Sequence, residues 1–148
     1  MKPAILVPFD FSEAARNALA WAASLQRATG GPPLQIVHVL DPVPSGVGDV
    51  VGDNTGPDEE QRRKLEQEIR EAARVAGATE PPSISLRAGR LPSEVILDAS
   101  VEWGADLIVM GTHGRRGFRR MLLGSVAEEV VRRASAPVVT VPGTSSAS

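Results

Sequence analysis

The stretch LIVMGTHGRRGFRRMLLGSVA, residues Leu107 to Ala127, decides the fold. Leu107 to Met110 is a short apolar run of strand type; a glycine-rich turn follows, and a helical pattern begins at Val126. Glycines stand at 111, 114 and 124, with Gly117 as an extra and Ser125 directly after the last. Such a turn between strand and helix is a phosphate-binding layout. Without Cβ atoms the backbone comes close to an anion, and the unpaired N–H groups of the next helix start supply donors and a positive dipole end. The stretch is not a P-loop, which needs a lysine before the Ser/Thr. Nor is it a dinucleotide fingerprint, because that motif needs a glycine where Thr112 stands.

Working outward, the rest of the chain alternates strand and helix. Ala4 to Val7, Leu34 to Leu40, Ile84 to Arg87 and Pro137 to Val141 read as further short strands. Ser12 is a candidate N-cap for a helix with Ala18, Trp21, Ala22 and Leu25 inward, stopped at Gly30-Gly31. Asp58 opens the next, with Gln61 in the capping-box position and Leu65, Ile69, Ala72 and Ala76 as its stripe. Pro92 suits the first position of a third, carrying Val95, Ile96, Ala99 and Trp103 and closed by Gly104. The fourth runs from about Val126 to Arg133 with Val126, Val130 and Val131 inward. Five strands alternating with four helices predict an α/β fold: a single open five-stranded parallel sheet with helices on both faces. Periodicity leaves the strand order open.

The chain has 148 residues, net charge -2 and no cysteine. One domain over residues 1–142 is expected, with a loop at 41–57 rich in Pro, Gly and Asp and a disordered tail at 143–148. The absence of cysteine excludes disulfides, thiolate metal sites and cysteine nucleophiles. No run approaches a membrane span and the start is too short for a signal peptide, so a cytoplasmic location is expected. The acidic total makes nucleic acid an unlikely partner despite the arginine run at 115–120.

The spacing G-x-x-G, nine residues, G-S resembles the nucleotide-binding signature of the universal stress protein family, in its ATP-binding branch. Val7-Pro-Phe-Asp-Phe-Ser12, His38-Val39, Asp106 to Gly111 and Ala136 to Val141 agree with that family, so the resemblance spans nearly the whole chain. It implies a Rossmann-like sheet of order 3-2-1-4-5, whose chain reversal between strands one and four is where such sheets bind ligands. It further implies an ATP-binding, nucleotide-dependent sensor or adaptor in stress response. ATP, or ADP or AMP, is the implied ligand, with Mg²⁺ beside it. Pro8 and Val39 would line the adenine pocket, Val39 through its main chain. Phe9 departs from the small polar residue often found at its place. The family commonly pairs its last strand across a twofold axis, which implies a homodimer through residues 137–141. The loop at 41–57 is a candidate lid or partner surface.

Several residues carry a second reading. Gly111, Gly114 and Gly124 are turn glycines or phosphate contacts, together with Thr112 and His113. Ser125, Val126 and Ala127 offer main-chain donors, yet Ser125-x-x-Glu128 also forms a capping-box pattern. Arg115, Arg116 and Gly117 would neutralise and cradle polyphosphate. Asp10 is either a helix-capping turn residue or, by the resemblance, a carboxylate beside ribose or a nucleotide-bound cation. Glu128 and Glu129 place negative charge near the anion site. His38 reads as a buried strand residue. Asp10, His113 and Ser125 have the side chains of a hydrolytic triad, but Leu-Gly-Ser-Val-Ala is not a nucleophile elbow. A slow ATPase or phosphotransferase using the same pocket is the alternative, followed by a nucleotide-independent dimeric adaptor.

Overall fold

The computed structural model describes residues 2–40, 57–114 and 123–143. Its elements alternate along the chain: β1 (Ile5–Pro8), α1 (Glu13–Thr29), β2 (Gln35–Val39), α2 (Glu59–Ala76), β3 (Ser83–Arg87), α3 (Pro92–Glu102), β4 (Leu107–Gly111), α4 (Ser125–Arg133) and β5 (Val138–Val141). The strands form one parallel sheet of order β3-β2-β1-β4-β5, as the resemblance implies. None of the described helices is long and apolar enough to cross a membrane.

Strand alternation divides the core in two. Ile5, Val7, Ile36 and Val109 point to one face and pack with α1 and α2, while Leu6, Val37, Ile108 and Met110 point to the other and pack with α3 and α4. Because both faces are covered, the central strands are apolar at consecutive positions, the pattern that marked them as buried parallel strands.

α1 lies close over the sheet because its buried side is mostly alanine: Ala14, Ala15, Ala18, Ala22 and Ala23. Ser12 caps it, accepting from Ala15 N–H at 3.1 Å, and Gly30 ends it in the left-handed region at φ 63°. The inward placement of Trp21 was an error: it is 42% exposed, and Leu19 takes the deep position. The buried face runs through Ala15, Ala18, Leu19, Ala22 and Gln26, and helix phase places Trp21 at its flank, turned toward solvent. α2 has the expected reciprocal capping box between Asp58 and Gln61. Only Ile69 and Ala73 are fully buried on it, with Leu65, Ala72 and Ala76 half-buried, because α2 rests on α1 and the β3 side of the sheet. α4 buries Ala127 and Val130 and leaves Val131 46% exposed, which corrects the inward assignment of Val131. Starting at Ser125, the helix points 127 and 130 at the sheet and turns 131 outward. The loop at 41–56 and the tail at 144–148 lie outside the described residues.

Two stability tests follow. A Cβ at Gly111 would sit 2.7 Å from Ala14 Cβ and 2.9 Å from the Ala14 carbonyl carbon, so Gly111→Val must push α1 off β4. A loss of roughly 2 kcal/mol is expected in urea unfolding. Asp58→Ala removes half of the α2 capping box and should cost about 1 kcal/mol without altering the cleft described below.

Candidate functional site

β1 and β4 are sheet neighbours, but α1, β2, α2, β3 and α3 all intervene between them in sequence, so the chain reverses direction at their carboxyl ends. A cleft of about 730 Å³ opens there. All the expected site residues that the structure describes line it: Pro8 and Asp10 after β1, Val39 at the end of β2, Gly111 to Gly114 after β4, and Gly124 to Ala127 at the start of α4. Arg115, Arg116 and Gly117 lie outside the described residues.

One end of the cleft is an apolar slot formed by Pro8, Val37, Val39, Leu40, Pro92, Ile96 and Met110. The α3 contribution, Pro92 and Ile96, carried no motif signal in the sequence. Only the packing of α3 onto the same sheet face as α4 brings it in. Arg90 and Gly89, on the loop before α3, complete this end.

The other end is main chain. Gly124 N–H donates to Thr112 O at 2.6 Å, tying the start of α4 to the end of β4. That bond holds Gly124 extended, at φ -68° and ψ 164°, so Gly124 and not Ser125 is the N-cap and no side chain caps the helix. The expected capping box at Ser125 and Glu128 is therefore absent: Ser125 is already the first helical residue, and it is exposed at the cleft. The first amides of α4, those of Ser125, Val126 and Ala127, have no intrahelical acceptor. Glu128 and Glu129 are engaged along the helix by Arg132 at 3.0 and 3.6 Å, and Glu129 also by Arg133 at 4.0 Å. These exposed pairs lessen the repulsion that two carboxylates near an anion site would exert.

The three motif glycines have different reasons. At Gly111 a side chain would collide with α1, so that glycine serves packing first. A Cβ at Gly124 would lie 3.1 Å from Thr112 O, against the loop closure. At Gly114 it would lie 2.7 Å from Asp10 Oδ2, which places the β4 glycine turn and the Asp10 carboxylate on opposite sides of a narrow gap.

Asp10 itself accepts from Ser12 N–H at 3.0 Å through Oδ1, the turn role expected of it, while lining the cleft. The residue between them, Phe11, has φ 65°, a left-handed conformation that costs a non-glycine residue about 1–2 kcal/mol. It is held by an edge contact to Phe9 at 4.9 Å and one to His38 at 5.3 Å, with Arg16 over both phenylalanine rings at 5.7 and 5.9 Å. Nothing in the sequence signalled this strain. His38 is buried, as expected, and its Nδ1–H donates to Phe9 O at 2.7 Å, bracing the β1 turn from β2. His113 Nδ1 lies 3.1 Å from Thr112 Oγ1, and its Nε2 is buried with no partner among the described residues. Asp10, His113 and Ser125 all line the cleft, but none of them is hydrogen-bonded to another among the described contacts. Among the described residues no group of three or more His, Asp or Glu is placed to hold a metal ion.

The family model described as "Universal stress protein family" matches residues 1–142. A universal stress protein from Thermus aquaticus is 36% identical over 140 residues, covering 93% of this chain and 96% of that one. A universal stress protein solved in complex with cAMP superposes with a TM-score of 0.68 at 23% identity, covering 97% of this chain and 98% of its own. An Arabidopsis thaliana family member with AMP bound superposes with a TM-score of 0.59 at 17% identity, covering 97% and 93%. At those two identities the likeness is one of fold. With the family match running from the first strand through the last, this chain belongs to the universal stress protein family.

Proposed function

We propose that the cleft binds an adenine nucleotide, ATP in the first instance, and that the protein acts as a nucleotide-dependent sensor or adaptor in stress response. The observation that carries this reading is that one cleft joins an apolar slot at the ends of β1 and β2 to the uncapped start of α4 behind a glycine turn. A slot of that kind takes a flat base, and open amides at a helix start take phosphate. Its volume of about 730 Å³ falls within the range of small-molecule sites, roughly 300–1,000 Å³. That two other proteins of this fold carry cAMP and AMP supports the same reading.

In this reading Pro8 and the main chain of Val39 hold the base, and Gly111 to Gly114 with Ser125 to Ala127 hold the phosphates, helped by Arg115, Arg116 and Gly117. Asp10 faces ribose or a nucleotide-borne Mg²⁺. A single carboxylate suits that ion, which keeps several waters and takes its remaining ligands from phosphate. Mg²⁺ would supply charge neutralisation of the polyphosphate. Signalling follows if the occupied and empty forms differ at the 41–57 loop, since a ligand shifts an equilibrium only by its differential affinity. β5 lies at the edge of the sheet and is half-buried, and we assign it the homodimer contact.

Thermal unfolding tests the reading. ATP at about 100 times its Kd should stabilise the protein by roughly 2.7 kcal/mol, raising Tm by about 5–10 °C. Gly114→Val should abolish that rise, because its side chain pushes on Asp10 and obstructs the glycine turn. No rise with ATP, ADP or AMP in the unmodified protein overturns the nucleotide assignment. Light scattering during gel filtration tests the dimer, and a monomer at micromolar concentration contradicts it.

A further inference from the structure

The apolar end of the cleft has one strongly basic group at its rim. Among the described lining residues Arg90 is the only Lys or Arg, and it makes no hydrogen bond or ion pair among them. Its neighbours differ in this respect. Arg87 binds Glu102 at 2.6 Å and stacks over Trp103 at 5.7 Å, and Arg133 takes Glu94 at 3.9 Å. Arg90 also borders a shallow recess whose lining includes the carboxylates of Glu94 and Asp98, neither of which pairs with it.

The backbone that carries Arg90 is held on both sides. A Cβ at Gly89 would overlap Val95 Cγ2, so the loop lies directly against α3, and Pro92 fixes the first turn of that helix two residues later. The segment is thus anchored, while its guanidinium has no partner among the described residues. Position decides what that group can meet. Arg90 follows β3, and β3 is three strand positions from β4, about 14 Å at ~4.8 Å per spacing. The glycine turn after β4 is therefore at the far end of the cleft, whereas Val39, Leu40, Pro92 and Ile96 are the near walls.

We propose that Arg90 is a base-recognition residue, its guanidinium plane stacking on the open face of a purine held in the apolar slot. The inference rests on the nucleotide reading above and adds a residue to it. A guanidinium is planar and weakly hydrated, so it covers a ring face at smaller desolvation cost than an ammonium, and its charge is attracted to the π-system. The slot supplies apolar walls, and Arg90 supplies a charged planar cover at its rim.

Isothermal titration of adenosine, AMP and ATP into the wild-type protein and Arg90→Ala tests this. Arg90→Ala should weaken all three by the same factor, roughly five- to thirtyfold, because the lost contact is to the part they share. Arg90→Lys should recover only part of the loss, since it keeps the charge and discards the plane. The unliganded melting temperature of both variants should match wild type, because Arg90 is exposed and unpaired among the described residues. Unchanged affinity, or a loss that grows from adenosine to ATP, overturns the proposal while leaving the nucleotide site standing, the second result assigning Arg90 to phosphate. Full recovery with lysine overturns stacking. Failure of the wild type to bind any of the three overturns both readings.

Discussion

The hydrogen bond from Gly124 N–H to Thr112 O, 2.6 Å long, is the constraint on which the site depends. It joins the two ends of a segment that leaves the sheet after β4 and returns as α4. It fixes the start of α4 one residue earlier than the Ser125-x-x-Glu128 pattern suggests, and so frees the Ser125 side chain from a capping role. With Thr112 N–H donating to Val141 O at 2.9 Å, the same residue is also bound to β5. The glycine turn is consequently anchored to the sheet on both sides of its main chain. Anchored donors are what a phosphate site requires, since amides that must be ordered on binding lose part of their contribution to entropy.

The close approach of α1 to the sheet is the second condition. Ala14 and Ala15 lie against Gly111, and this narrow packing brings the Asp10 turn to the β4 turn. A larger residue at any of these positions would part the two sides of the cleft. The left-handed Phe11 belongs to the same arrangement. Aromatic contacts to Phe9 and His38, and the His38 bond to Phe9 O, supply the packing that holds a strained turn between β1 and α1.

Much of this was legible in the residues, and for identifiable reasons. Continuous apolar runs reveal parallel strands because both faces of the sheet are covered. Ser12, Asp58, Pro92 and Gly104 mark helix ends through local chemistry that needs no tertiary context. The glycine spacing located the turn that lines one side of the cleft for the same reason. What was not legible depends on helix phase and on packing between elements. Trp21 fits an i, i+3 spacing from Ala18, yet the buried face is centred on Ala15, Leu19, Ala22 and Gln26 and leaves it at the flank. Val131 shares its pattern with Val130, and one residue of helix phase separates buried from exposed. The slot walls at Pro92 and Ile96, and Arg90 beside them, come from a segment whose sequence gives no binding signal; only the packing of α3 on the sheet brings them to the cleft. Arg115, Arg116 and Gly117, expected at the phosphates, lie outside the described residues.

The distribution of helix caps separates stability from binding. α2 is capped by a reciprocal box, and α1 by Ser12, whose hydroxyl occupies the Ala15 amide although Ser12 borders the cleft. α3 begins at a proline, which has no amide hydrogen to offer at that position. α4 alone among the described helices presents its first amides to the cleft with no side-chain cap and no proline. With glycine at the N-cap, the missing side-chain cap leaves the helix less stable by only about a few tenths of a kcal/mol. An anion bound there would restore that stability and shield the positive end of the helix dipole. Occupancy of the cleft would thus be felt first as firmer closure of α4 against β4. In the sensor reading, this is a physical route by which the nucleotide alters the protein without any rearrangement of the sheet.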